Sequence, residues 1–120
     1  MTGQMQGKCW GKTRCVLMND FCELHHVFAK KGGVCSKHYH KFKSNLFLVI
    51  KGKLLVKVWK NDMIDEVILT DGEYTSVSAN DYHLFEALED TEFIENYTPV
   101  GIGNDIIRET QGFMKNDKTL

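Results

Sequence analysis

His38, Tyr39 and His40 form a short alternating run, and a third histidine, His83, lies far along the chain. On an extended strand, residues i and i+2 point to the same face, so His38 and His40 would present two imidazoles side by side. A third imidazole brought alongside by the fold completes a three-nitrogen face. Such a face leaves coordination positions open, the usual protein contribution to a reactive transition-metal site. Taken singly, each histidine reads as an ordinary polar side chain, so what matters is whether the scaffold brings them together.

The elements between them read as short strands. Glycine and turn residues punctuate the chain at Gly32-Gly33, Lys51-Gly52-Lys53, Asn61-Asp62, Asp71-Gly72, Gly101 and Gly103. Strand-like runs fall at 14–18, 21–29, 46–50, 54–59, 67–70, 75–78, 83–88 and 92–97. The run Leu46 to Ile50 is apolar throughout, as in a strand covered on both faces. Lys51-Gly52-Lys53 predicts a tight hairpin between 46–50 and 54–59. The stretch from Asp105 to Thr110 fits either a strand or one helical turn. No segment holds a 3.6-residue period over ten residues. Many short strands with regular turns predict an all-β sandwich or barrel, and a jelly-roll barrel is the member that encloses a small ligand.

Length and composition narrow the function further. A chain of 120 residues with 42% apolar content builds one domain with a real core. A net charge of −1 without a basic run argues against nucleic acid as a partner. No apolar stretch is long enough for a membrane span. The start, MTGQMQGKCWGK, has no apolar signal region, so a cytoplasmic location is expected. Cys9, Cys15, Cys22 and Cys35 contain no CxxC pair and read as free thiols.

The histidines and glycines together resemble the cupin superfamily, in particular its small single-domain members. Its first motif runs glycine, five residues, His-x-His, three or four residues, glutamate, six residues, glycine. Gly32, His38, His40 and Gly52 fall in that register, with Asn45 at the glutamate position. In the second motif Gly72 and His83 are in register, while Ser78, Asn80 and Ala87 replace the other three residues. The resemblance implies a double-stranded β-helix with residues 1–120 as one domain. Its core barrel would span about 14–98, with the flanking segments available to a dimer interface. It also implies a metal held by His38, His40 and His83, the metal being iron, zinc, nickel or manganese. Asn45 offers only a neutral amide and reads as a weak ligand, or as a hydrogen-bonding residue behind the ligands. At Asn80, asparagine tolerates the positive φ that the motif glycine supplies.

Other residues follow from strand parity. Phe47 lies two after Asn45 and Phe85 two after His83, so both should face inward, as core or as pocket wall. His25 and His26 face opposite ways. Cys35, three before His38, is expected on the opposite face. Lys37, Lys41 and Lys43 read as a solvated face, and Tyr82 and Tyr97 are the available general-base candidates. The two apolar faces of 46–50, with Trp10 and Trp59, lead us to expect a homodimer. The function expected is a metal-binding cupin that acts on or binds a small polar or anionic molecule. If catalytic, it would be a dioxygenase, isomerase or lyase; a non-catalytic sugar-binding module or a metal-independent sugar isomerase or epimerase is the alternative.

Overall fold

The computed structural model describes residues 3–99 and 106–115. They form thirteen strands and, among these residues, no helix. The strands are β1 (Gln6–Lys8), β2 (Gly11–Met18), β3 (Glu23–Ala29), β4 (Gly33–Val34), β5 (His38–His40), β6 (Ser44–Lys51) and β7 (Lys53–Lys60). They continue with β8 (Met63–Thr70), β9 (Tyr74–Val77), β10 (Tyr82–Ala87), β11 (Thr91–Thr98), β12 (Ile106–Arg108) and β13 (Phe113–Met114). The 105–110 stretch, open in sequence, therefore contains a strand. Gly101 and Gly103 lie outside the described residues.

Two antiparallel sheets face each other. The first runs β1-β2-β3-β11-β6-β9. In the second, β10 is central: β7 and then β8 lie on one side, β5 and β4 on the other, and β12 and β13 beyond them. The β8 and β9 edges close one side of the barrel. On the other, residues of β1 and β2 and of β12 line a common cavity.

Alternation decides what points inward. In β6, Asn45, Phe47 and Val49 are buried while Ile50 is 43% exposed. In β10, His83, Phe85 and Ala87 are buried. The period of two thus puts a polar residue and an apolar one on the same inner face of each strand. The apolar ends make a close-packed plug in which Phe47, Phe85 and Phe93 meet with ring centroids 5.1–6.3 Å apart. The polar ends meet at the other half of the barrel.

The expected hairpin at Lys51-Gly52-Lys53 is absent. β6 pairs with β11 and β9, whereas β7 pairs with β10 and β8. Gly52 is the corner where the chain leaves one sheet for the other. Its φ is +121°, and a Cβ there would lie 2.6 Å from the Asp90 carbonyl oxygen, so only glycine fits. The Gly52 amide donates to Asp71 Oδ1 (2.9 Å), which ties this corner to the β8–β9 corner. Asn61 and Asp62, both at positive φ (47° and 66°), form the true hairpin, between β7 and β8.

Candidate metal centre

β5 and β10 lie side by side with His38 directly opposite His83. The i, i+2 spacing puts His40 on the same face. One ligand nitrogen from each of the three lies within 4.8 Å of the others, and all three residues are buried. The turn before β10 fixes this arrangement. Asn80 takes φ 73°, and its amide donates to the His40 carbonyl (2.7 Å), clipping the His83 turn to the His40 strand. The second motif therefore keeps its geometry without its glycine, because asparagine enters the left-handed region.

The imidazole tautomers follow from their partners. His38 Nδ1 lies 2.6 Å from the Ser36 carbonyl oxygen, and His83 Nδ1 lies 3.0 Å from that of Asp81. A carbonyl only accepts, so each Nδ1 carries the hydrogen and each Nε2 keeps its lone pair. His83 Nε2 is buried with no hydrogen-bond partner. Burial, aided by neighbouring His83, lowers the His38 pKa to about 3, and burial lowers that of His83 to about 4. Both rings are neutral at neutral pH, the state a metal ligand requires.

Beside His38 lies a cavity of about 330 Å³, lined by His38, Phe47, Phe85, Glu95, Tyr97 and Arg108 among others. It opens between Lys8, Cys9 and Thr13 on one lip and Arg108, Gln111 and Gly112 on the other. Phe47 and Phe85 are the boundary between core and cavity, and the Phe47 ring lies 6.2 Å from that of His83. Each is thus both core and wall.

Two polar groups that sequence reading passed over complete the cavity. Glu95 sits on the inner face of β11, between Phe93 and Tyr97. Asn45 Nδ2 donates to Glu95 Oε2 (2.7 Å), and the Tyr97 hydroxyl bonds to the same carboxylate. Burial raises the Glu95 pKa above the usual carboxylate range. Asn45 is itself 2% exposed, and its Oδ1 has no hydrogen-bond partner. Arg108 stands opposite His38 in the β12–β5 register, and its charge is felt there: it contributes to lowering the His38 pKa. The alternation Phe93-x-Glu95-x-Tyr97 was a usable signal for Glu95. Arg108 was hidden by the unresolved choice between strand and helix at 105–110.

Several expectations are corrected. Cys35 lines the cavity beside His38 rather than facing away, because residues 35–37 do not continue the β5 strand and the parity count fails. Its buried thiol is held neutral by desolvation. Lys43 is 7% exposed rather than solvated, lying 3.6 Å from Glu23 Oε1 and over the Tyr97 ring. Lys37 covers Trp59, 4.3 Å from its ring, and pairs with Glu109. Tyr82 does not line the cavity; it packs edge-to-face against Tyr39 (4.8 Å), so of the two tyrosines only Tyr97 faces the site. His25 lines the cavity, bonded to Glu23 (2.6 Å), while His26 bonds to Glu92 (2.6 Å) on the other face. Trp10 packs edge-on against Phe85 (5.0 Å). All four cysteines are free.

Solved structures share this architecture. KdgF from Halomonas sp. matches with a TM-score of 0.72 at 19% identity, over 81% of this chain and 88% of that one. Oxalate decarboxylase from Bacillus subtilis matches with a TM-score of 0.80 at 17% identity, over 88% of this chain and 30% of that one. The Lactobacillus farciminis oxalate decarboxylase in complex with formate matches with a TM-score of 0.77 at 19% identity, over 88% of this chain and 33% of that one. This chain has the cupin fold. It spans about a third of the oxalate decarboxylases and most of the KdgF chain. At these identities the likeness is one of fold. No protein-family model matches the chain, and no curated protein does.

Proposed function

We propose that this cupin-fold protein is a metal-dependent enzyme acting on a small carboxylate-bearing molecule, with His38, His40 and His83 holding a divalent transition metal. The observation that carries this reading is the convergence of three buried imidazoles. Backbone carbonyls lock two of them into the tautomer that offers Nε2, and the His83 Nε2 is buried without a partner. Burying such a nitrogen unsatisfied costs about 1–3 kcal/mol, which a ligated metal would offset. Three imidazoles suit iron, zinc, nickel and manganese alike. A metal bound there supplies Lewis acidity, polarising an oxygen of the molecule it holds.

The chain's own residues supply the rest. Arg108, on the lip beside His38, is placed to take a carboxylate through its planar fork of donors. Phe47 and Phe85 form an apolar wall that excludes water beside the histidines. The fold neighbours give this some support: a Bacillus subtilis oxalate decarboxylase is described with Mn(II) centres, and that from Lactobacillus farciminis with formate.

The test is metal content by mass spectrometry on untagged, chelator-free protein, beside a His38→Ala/His83→Ala double variant. About one equivalent of a transition metal in the parent and none in the variant is expected. No metal in either, even after reconstitution, would overturn the reading and favour a metal-free ligand-binding barrel.

A further inference from the structure

We infer that Glu95 is the cavity's proton acceptor, the group that takes the proton from a ligand that ionises as it binds beside the histidines. The inference rests on the metal reading above and deepens it by naming the residue that handles the proton.

Position comes first. Glu95 lines the same cavity as His38 and Arg108 but projects from the other sheet, so a molecule held in that cavity would have the carboxylate on one side and His38 on the other. It is not in the group of mutually close ligand atoms, which holds only His38, His40 and His83 among the described residues. Its carboxylate is therefore left for proton transfer rather than ligation.

Its support comes second. Asn45 and Tyr97 fix the carboxylate from two sides, and both donors favour its ionised form. Burial acts in the opposite sense. The groups facing it are His25 and Glu23 from β3, Tyr97 from its own strand, and Arg108, His38 and the neutral Cys35 thiol across the cavity. Among the described residues, no lysine, arginine or histidine forms an ion pair with it. A held, enclosed, unpaired carboxylate in a cavity is what a general base requires.

Asn45 takes on a definite task in this arrangement: it positions Glu95. The residue in register with the usual motif glutamate has become the donor that steadies a carboxylate one strand away.

The step balances without a further reactant. The O–H bond of the incoming acid breaks, its electron pair stays on that oxygen, and the proton forms a new O–H bond with Glu95.

Acetohydroxamic acid is a suitable probe, because it is neutral in solution and binds metals as the anion. Protein loaded with one equivalent of zinc, verified by mass spectrometry, is titrated with it at pH 8 by calorimetry. Buffers of different ionisation enthalpy then give the protons released per ligand bound. Wild type is expected to release almost none, Glu95→Gln close to one, and Glu95→Asp to behave as wild type. Melting curves report whether each variant folds. A measurement on wild type alone needs no variant: the infrared difference spectrum on binding should gain a protonated-carboxyl stretch. Equal proton release from wild type and Glu95→Gln, no new carboxyl band, or no binding to the zinc-loaded parent would each overturn the inference. A parent that fails to take up zinc instead overturns the metal reading, and this inference with it.

Discussion

The depressed histidine pKa values make metal-free protein acid-sensitive by an amount that can be worked out. His38 titrates at about 3 and His83 at about 4 in the fold, against an ordinary histidine value of 6.5 in the unfolded chain. Above pH 6.5 both states hold both rings neutral, and the shift contributes nothing. Below it the unfolded chain binds protons that the folded chain refuses, so stability falls as the pH falls. At pH 5 each ring costs about 1.5 pH units at 1.36 kcal/mol per unit, or about 2 kcal/mol, and the pair on the order of 4 kcal/mol. The loss continues until the pH reaches the folded values, near 4 and then 3.

Against a typical total of about 5–15 kcal/mol, that is a large fraction. Urea denaturation of chelator-treated protein at pH 7.5 and pH 5 measures it. Glu95 acts in the opposite sense: its folded pKa is raised, so the fold holds a proton more tightly than the unfolded chain does as the pH drops. The informative quantity is therefore the difference from a His38→Gln/His83→Gln double variant, which keeps Glu95. Wild type should lose on the order of 4 kcal/mol more than the variant between the two pH values. Parallel losses would refute the reasoning, because they would mean that the two rings accept protons as easily folded as unfolded.

Arg108→Ala in metal-loaded protein should weaken oxalate binding about 10- to 100-fold by calorimetry, the worth of hydrogen bonds to a charged group. Metal content should not change; unaltered oxalate affinity would remove Arg108 from the site. The outer face of β6 leaves Leu46 and Leu48 half-buried and Ile50 43% exposed, and we expect a second copy of the chain to cover it. Sedimentation velocity should give twice the chain mass for wild type and the monomer for Leu48→Glu; a monomeric wild type would end that expectation.

How much of this was legible in the sequence depended on whether local parity held. It held along β6 and β10: with Asn45 and His83 fixed by their motif register, the period of two put Phe47 and Phe85 on the same inner face, and all four are buried there. It held across Asn80 as well, where the conformational tolerance of one residue type preserved a degenerate motif. It failed at Cys35, because three residues of irregular backbone separate that side chain from the strand bearing His38. It could not settle Gly52. A glycine between two apolar runs looks the same whether the chain doubles back in one sheet or crosses to the other, and only the pairing partners distinguish them. Lys43 escaped because its burial depends on Glu23 and Tyr97, which the fold brings from two other strands.

Asn45 and Glu95 are best understood as one feature. Asn45 Nδ2 and Glu95 Oε2 lie 2.7 Å apart, on neighbouring strands of one sheet. A glutamate at position 45 would set two carboxylates against each other in a buried site, where they cannot both ionise. With asparagine there, the repulsion becomes a hydrogen bond from a neutral donor, which favours the ionised carboxylate against the burial that opposes it. Read from position 45 alone, the site has lost its acid. Read across the β6–β11 pairing, the acid lies on the adjacent strand, outside the group formed by the three histidines and on the wall of the cavity that His38 also lines. A carboxylate bound to a metal spends its charge on the ion, whereas one held on the wall remains able to take a proton. The asparagine at position 45 and the buried glutamate at 95 thus belong together in the chemistry we propose: three histidines as the ligand set and a separate proton acceptor facing them.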